Sequence, residues 1–412
     1  MKASLFYSRG GRCWCWRAQT RVLCLRLIAI LACWSATGLA AEWSLVPSMS
    51  TKAYYNDNLL LTPLPHDSTY GYWISPTVEF SGKTERLEVS GRAALDFVDY
   101  YGGEPNRFTN VFLPLTLKYR TERDQWGFTG GFTRDNTLMG ELLTTGVVLR
   151  FTQRNLWNLD PSWTRVINEK LSFQSSFQFN DATYQDGLRL GLVDYQVFGG
   201  SAGLLYHASE RSDLQLTGTY TNFHTSNAPF SLRASYPGIV LNVTHAFTEQ
   251  LRANAYGGPR FISSATGLQG GSERTRDTIW IYGASLTQQF EKASIQFRLT
   301  REIFPSGFGL LLQTNRVGAL TSYNASESVS VSLDAAAFIV SGATTQGTGI
   351  KISDQRFFYL TPKLAWHFAE WWKVEASYSY YWRDVATFQD PAMSNMLMFI
   401  LTYYPPKLAV SN

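Results

Sequence analysis

The chain has 412 residues, with 36 Lys and Arg, 32 Asp and Glu, a formal net charge of +4 and an aromatic content of 15%. All four cysteines lie before residue 34 and six basic residues lie before residue 27, so removal of residues 1–41 leaves no cysteine and a net charge of −2. This composition excludes a disulfide framework and a cysteine metal site from the remaining 371 residues. Without a positive net charge, the overall composition also gives no support for nucleic-acid binding.

The N-terminal segment has the layout of a secretory signal peptide. Residues 1–26 are basic without an acidic residue, Leu27–Ala36 is apolar, and Thr37–Ala41 is rich in small residues. An apolar run of about ten residues is shorter than the roughly 20 that a membrane helix needs, so a transmembrane anchor is the weaker alternative, as is lipidation at Cys33. We therefore predict a signal peptide over 1–41 and one domain over 42–412.

A strongly alternating hairpin follows. Leu87, Val89, Gly91, Ala93, Leu95 and Phe97 take every second position, and polar or charged residues fill most of the gaps. The polar turn Gly82–Glu85 separates this run from Thr77–Phe80, and a longer polar loop follows Tyr100. A long strand between a tight turn and a looser loop is typical of a hairpin in a transmembrane β-barrel.

The turn signal recurs along the chain. Short polar connections are expected at Gly82–Glu85, Thr121–Asp124, Asn168–Lys170, Ser209–Ser212, Thr248–Gln250, Glu291–Lys292, Ser326–Ser328 and Ala369–Glu370. Two long alternating runs lie between successive turns, whereas a propeller blade would need four short strands.

Eight turns join sixteen strands, and a first strand near Met49–Asn58 and a last near Met393–Tyr404 complete the set. We predict an all-β fold: a transmembrane antiparallel up-and-down β-barrel of about 18 strands, with 16 to 20 as the range, and both termini periplasmic. The longer connections are expected on the extracellular side, at 60–69, 101–107, 136–151, 185–193, 225–235, 264–275, 305–311, 342–354 and 387–391.

Charged residues alternate with the apolar positions and are predicted to line the lumen. They are Glu88, Arg92, Asp96, Lys118, Asp213, Arg252, Arg298, Asp334, Glu375 and Arg383. Such charges either solvate a water-filled interior or select a polar or charged solute. Both signs occur, so no strong ion preference is predicted.

Three short tracts carry a resemblance to a known group of proteins. Ala53–Leu59, Ile74–Pro76 and Asn158–Trp163 resemble outer-membrane β-barrel proteins encoded beside exopolysaccharide and PEP-CTERM sorting clusters. The resemblance implies a porin-like barrel in the bacterial outer membrane, associated with production or export of surface polysaccharide. One departure is the tail Pro405–Asn412 after Tyr404, where such barrels commonly end on an aromatic residue.

An enzymatic alternative rests on one tract. Phe223–Ala228 resembles the His-x-Ser-Asn segment of outer-membrane phospholipases and lipid A deacylases, which implies His224 as base and Ser226 as nucleophile. No carboxylate follows before Glu249, and the remaining histidines share no metal-ligand spacing. We therefore expect no catalytic residue, no metal and no cofactor.

The predicted function is that of a non-enzymatic outer-membrane channel or export component linked to surface polysaccharide, with a general diffusion porin as the alternative. A structural barrel with a blocked lumen is the third class. The expected partners are outer-membrane lipid, polysaccharide or small polar solutes, and periplasmic export proteins, without nucleic acid.

Overall fold

The computed structural model describes residues 42–63, 65–103, 105–138, 151–226, 231–268, 271–343, 354–386 and 389–411. The predicted signal peptide lies outside these residues. The first ten strands are β1 Glu42–Asn56, β2 Thr69–Lys83, β3 Leu87–Gly102, β4 Asn106–Arg120, β5 Asp124–Asn136, β6 Gln153–Val166, β7 Leu171–Tyr184, β8 Asp194–Ser209, β9 Ser212–Ser226 and β10 Ser231–Ser235. The others are β11 Gly238–Ala246, β12 Leu251–Leu268, β13 Gly271–Gln289, β14 Ala293–Pro305, β15 Leu311–Asn324, β16 Val329–Gly342, β17 Gln355–Ala369, β18 Trp372–Val385, β19 Ala392–Tyr403 and β20 Leu408–Ser411.

These strands close into one antiparallel barrel. Each strand pairs with the next in the chain, except β10 with β11 and β19 with β20, and β1 pairs with both β2 and β19, so the sheet has no open side. β10 and β11 together form one crossing, interrupted at Tyr236-Pro237, because both pair with β9 and β12. β20 extends the line of β19 and pairs with the start of β1. The predicted closed barrel with 18 crossings is confirmed.

The tight turns form as their sequences predict, and several are held by a polar side chain. The hydroxyl of Thr84 accepts a hydrogen bond from the backbone N–H of Leu87 at 3.0 Å, and Thr121 does the same for Asp124. Asn168, Thr248 and Ser326 repeat the contact with the residue three positions on. Ser, Thr and Asn favour turns because their side chains bond the nearby backbone in this way.

Two of the predicted loops are instead largely strand. The segment 264–275 continues the β12–β13 ladder as far as Leu268 and Gly271. Ser264 Oγ lies 2.6 Å from Thr275 Oγ1 across this ladder, so paired hydroxyls support an extension whose polar composition predicted a loop. In 225–235, β10 pairs with β9 and β12.

The two faces of the barrel differ in a regular way. The outer face carries exposed aliphatic side chains in its middle, such as Leu95, Leu216 and Val317. Exposed aromatic side chains surround the barrel near the tight turns: Trp43, Tyr119, Trp126, Tyr206, Phe247, Phe290, Tyr323, Trp366, Trp372 and Tyr403. An apolar band bordered by aromatic residues is the outer surface that a bilayer requires of a barrel.

Among the described residues, no helix has the length and apolar character needed to cross a membrane.

Candidate functional site

The inner face of the barrel is identified by strand register. Buried clusters occupy one face of the strands, including Val98, Phe338 and Phe357, while Leu95 and Phe97 on the other face are exposed. Because side chains alternate, each residue directly opposite an inner-face residue also faces inward. By this register all ten charged positions predicted for the lumen lie on the inner face. That they act on a solute stays a prediction.

Several of these ten residues have a charged or polar neighbour. Asp96 lies 3.5 Å from Lys52, and Asp213 lies 2.6 Å from His207. Glu88 is directly opposite Lys118 in the ladder between β3 and β4.

On β17 and β18, Glu375 contacts both Lys363 and Lys373. Arg383 is buried and donates hydrogen bonds to Gln355 and to the carbonyl of Leu61. Positive and negative groups thus neutralise one another on the inner wall.

Further inner-face charges went unnoticed in the sequence. Glu79 lies directly opposite Arg92, and counting back through the turn of the first hairpin would have found it. Asp135 and Arg154 form a buried pair with an N–O distance of 2.7 Å. Their strands contain Gly, Pro and Trp among the alternating residues, which hid the pattern.

A polar recess of about 500 Å³ lies on the inner wall between β12 and β17. Two predicted residues, Arg298 and Asp334, line it together with Glu302 and Arg316. The hydroxyl of Tyr256 donates a hydrogen bond to the carboxylate of Glu302. Two guanidinium and two carboxylate groups therefore meet in one recess and offer both donors and acceptors to a solute.

Arg316 is held in a fixed orientation within this recess. Its guanidinium carbon lies 5.5 Å from the centre of the Phe338 ring and 5.6 Å from that of Tyr359. A guanidinium nitrogen donates to the Tyr359 hydroxyl at 2.6 Å, and that hydroxyl donates to Asp334 at 3.1 Å. Stacking leaves the edge of a guanidinium available for further hydrogen bonds, so this arginine is preorganised.

Three connections on the side opposite the tight turns fold into the lumen. We call them loop A (57–68, after β1), loop B (185–193, after β7) and loop C (306–310, after β14). Six crossings of the barrel separate each of these loops from the next. They are thus spaced evenly around the circumference and approach the lumen from three directions.

Loop A is fixed by the polar tract that follows β1. Asn58 donates to the carbonyls of Thr62 and Met393 at 2.8 and 2.9 Å. Asp57 accepts two hydrogen bonds from Asn395, each of 2.7 Å. Leu61 then adopts a φ of 51°, a conformation that a leucine rarely takes, and is 1% exposed.

Loops B and C meet across the lumen. The backbone N–H of Val193 donates to the carbonyl of Gly307 at 2.6 Å. Gly309 has a φ of 73°, which lets loop C turn sharply so that Ser306 bonds the backbone of Leu310. Leu61 and Leu310 belong to one buried cluster with the inner wall, and Phe308 packs against this cluster and the cluster around Leu192. The three loops therefore narrow the lumen with apolar side chains.

The two residues of the tract that resembles a hydrolase segment, His224 and Ser226, both lie on β9. His224 lies on the outer face of β9, opposite Gln196 and Arg233. The register places Asp194, a carboxylate on the preceding strand, opposite Ser226, whereas the sequence pattern pointed only to downstream residues. Asp194 accepts the backbone N–H of Tyr184 at 2.8 Å, and the side chain of Ser226 lies outside the described residues. Within the described part of the chain, no three His, Cys, Asp or Glu side chains are placed to hold a metal.

The chain matches no protein-family model and no curated protein. It is similar in structure to several barrels at low sequence identity. One is Pseudomonas aeruginosa OccK7 (OpdD), with 10% identity, a TM-score of 0.46 and coverage of 90% of this chain and 99% of that one. Acinetobacter baumannii OccAB3 has 11% identity, a TM-score of 0.41 and coverage of 89% and 99%. The copper transporter OprC has 11% identity, a TM-score of 0.48 and coverage of 88% and 65%.

Proposed function

We propose that this barrel is a non-enzymatic channel of the bacterial outer membrane that passes small polar solutes through an entrance narrowed by loops A, B and C. The observation that carries the proposal is the contact of loop C with both other loop regions, above an inner wall lined by charges of both signs. A continuous apolar outer surface requires lipid, and a closed barrel is the sheet that lipid tolerates.

We propose an orientation for the barrel from the general build of outer-membrane barrels. Outer-membrane barrels have short periplasmic turns and longer extracellular loops. Here the start of β1 and β20 lie at the same end as the tight turns. We therefore place both termini in the periplasm and loops A, B and C at the cell surface, with outer-membrane lipid as the surrounding partner.

Conductance in planar bilayers tests the channel. The mature protein should conduct in small steps, and replacing residues 306–310 by Asn-Gly should increase the step several-fold, because a two-residue hairpin removes loop C from the lumen. A matched change at the other end, replacing residues 325–329 by Asn-Gly, keeps the pairing of Asn324 with Ser330 and should leave the step unchanged. A silent protein, or equal steps in both variants, would contradict the proposal and favour a barrel with a structural role.

Polysaccharide export is the more specific form of this proposal. It rests on the resemblance carried by Ala53–Leu59, and the hydroxyls of Tyr256 and Tyr359 beside carboxylates in the recess are suited to binding sugar hydroxyls. A polymer would need loops A, B and C to move aside, and a periplasmic export protein to deliver it. A general diffusion porin needs neither.

Neutral oligosaccharides distinguish a polysaccharide-export component from a general diffusion porin. An export component should show current interruptions when a hexasaccharide is added to the loop C variant, and Tyr359→Phe together with Tyr256→Phe should shorten them. A diffusion porin should pass the ions with no interruption that depends on these hydroxyls.

A further inference from the structure

An apolar pocket lies inside the barrel, although the wall of a water-filled lumen is expected to be polar. It has a volume of about 200 Å³ and is formed by the inner face of β1, β2, β3 and β19 beneath loop A. Its main lining residues are Tyr54, Leu59, Trp73, Tyr100, Met396 and Met398, which we call the aromatic pocket. Its lining does not include the residues of the polar recess, so it is a separate site.

Three rings of the aromatic pocket hold one another in place. The rings of Tyr54 and Trp73 stack with centroids 6.2 Å apart and an interplanar angle of 21°. Tyr100 lies 5.3 Å from Tyr54 and 6.3 Å from Trp73. All three side chains are buried, and Phe108 packs edge-on against Tyr100. Aromatic side chains in contact geometry provide a rigid apolar wall that a flat ring can pack against.

Several polar atoms at the rim are already used by the protein, whereas the buried indole N–H of Trp73 has no hydrogen-bond partner among the described residues. The carboxamide oxygen of Asn56 accepts hydrogen bonds from the N–H of Asn58 at 2.7 Å and the hydroxyl of Ser394 at 2.9 Å. The Asn56 amide nitrogen donates to the hydroxyl of Tyr54 at 3.1 Å. A water molecule needs two to four polar partners, and an apolar cavity without them binds apolar guests instead.

Among the described residues that line the aromatic pocket, none is charged. The nearest charged pair on this wall, Lys52 and Asp96, lies one inner-face position further toward the tight turns and is mutually satisfied at 3.5 Å. Lys52 also lies 4.6 Å from the centre of the Trp73 ring, which positions the indole. A guest in the pocket would therefore contact rings and thioethers, and a charged guest would lose its hydration without gaining a partner.

We propose that the aromatic pocket binds an uncharged, monocyclic aromatic compound. The volume suits one substituted ring, because a cavity of about 150 Å³ with apolar walls accepts benzene. Polarisable methionine sulfur at Met396 and Met398 adds favourable contacts with the ring of the guest. The proposal rests on the proposed channel only for the route of entry, which leads through the lumen.

The test uses 4-fluorophenol as the probe. Its binding to the mature protein in lipid nanodiscs is measured by the broadening of its fluorine NMR line. Broadening should exceed that in empty nanodiscs. The double variant Met396→Gln and Met398→Gln should weaken binding by about tenfold, because its amides replace apolar contacts without finding partners. The matched control Ile400→Gln, on the same face of the same strand but outside the pocket, should change the affinity by less than about twofold. 4-Fluorobenzoate, which is charged, should not bind.

Three results would overturn the proposal: no broadening beyond empty nanodiscs, equal binding by the double variant, or equal binding of the benzoate. Folding of each variant is checked by its heat-dependent migration on an SDS gel, and Met398→Gln alone replaces the double variant if that fails to fold. A protein that conducts without binding the probe refutes only the pocket, whereas one that binds without conducting refutes only the channel.

Discussion

The inner wall of this barrel changes character between its two ends. Near the tight turns it carries exposed charges, such as Glu79 opposite Arg92. Near the loops the same face of the same strands carries buried apolar residues, such as Val98 on β3 and Phe357 on β17. Strand alternation determines which side chains point inward. The difference between the two ends shows that alternation does not determine whether these side chains contact water or protein.

The difference has a physical cause in the three inward loops. Apolar side chains at the loop end would be costly in contact with water, and loops A, B and C cover them with Leu61, Leu192 and Leu310. At the other end no such cover is seen among the described residues, and charges of opposite sign face the lumen. One sheet thereby carries a narrowed apolar end and a charged end.

The largest expected effect is on the free energy of unfolding, and it distinguishes a buried ion pair from an exposed one. Arg154→Met should lower the free energy of unfolding by about 3–5 kcal/mol, because it leaves Asp135 charged and buried. Lys363→Met, at the turn end, removes a pair whose lysine is 42% exposed and should cost at most about 1 kcal/mol.

Denaturant unfolding in lipid vesicles measures both changes. The variant Asp135→Asn combined with Arg154→Met should recover part of the loss, since no uncompensated charge remains. Equal losses for the two single variants would mean that the ends do not differ in burial.

A smaller effect on the free energy of unfolding is expected for the loop residues that cover the inner wall. Leu61→Ala should lower the free energy of unfolding by about 2–5 kcal/mol, because a fully buried leucine leaves a cavity among the residues of the inner wall. Leu188 in loop B is 57% exposed and is the control, with an expected loss within about 0.5 kcal/mol for Leu188→Ala. Similar losses at both positions would show that loop A does not pack as described.

The smallest expected effect is on ion preference. Arg92→Glu should shift the reversal potential toward cation selectivity, because it replaces a positive group by a negative one opposite Glu79. The shift should shrink from about 0.1 M to 1 M salt, as the Debye length falls from about 10 Å to 3 Å. Arg107→Gln lies on the outer face near the loops and should leave the potential unchanged. An equal shift from both variants would place Arg92 outside the conduction path.

Much of the fold could be read from the sequence because the barrel repeats one pattern. Leu87–Phe97 alternates without interruption, and Thr84 and Thr121 mark turns by their own hydrogen bonds. The loops were harder to predict. Whether Leu61 or Leu310 covers the inner wall depends on contacts between segments that lie far apart in the chain. The segment 264–275 resembled a loop by composition, because hydroxyls that pair across strands are also common in turns.

The candidate site was predictable only in part for the same reason. Arg298 and Asp334 were found by alternation, whereas Arg316 and Glu302 come to the recess through the register of β14, β15 and β16. The aromatic pocket had no sequence signal, since Tyr54, Trp73 and Tyr100 lie on three strands and are neighbours only after pairing.

Single-cysteine labelling tests the two-ended inner wall most directly. Residues 42–412 contain no cysteine, so Arg92→Cys, Leu95→Cys and Val98→Cys can each be read without background. A water-soluble maleimide should label position 92 rapidly, position 98 slowly because Leu59 of loop A belongs to the same buried cluster, and position 95 hardly at all. Labelling of position 95 as fast as position 92 would overturn the register, and labelling of position 98 as fast as position 92 would contradict the covered loop end.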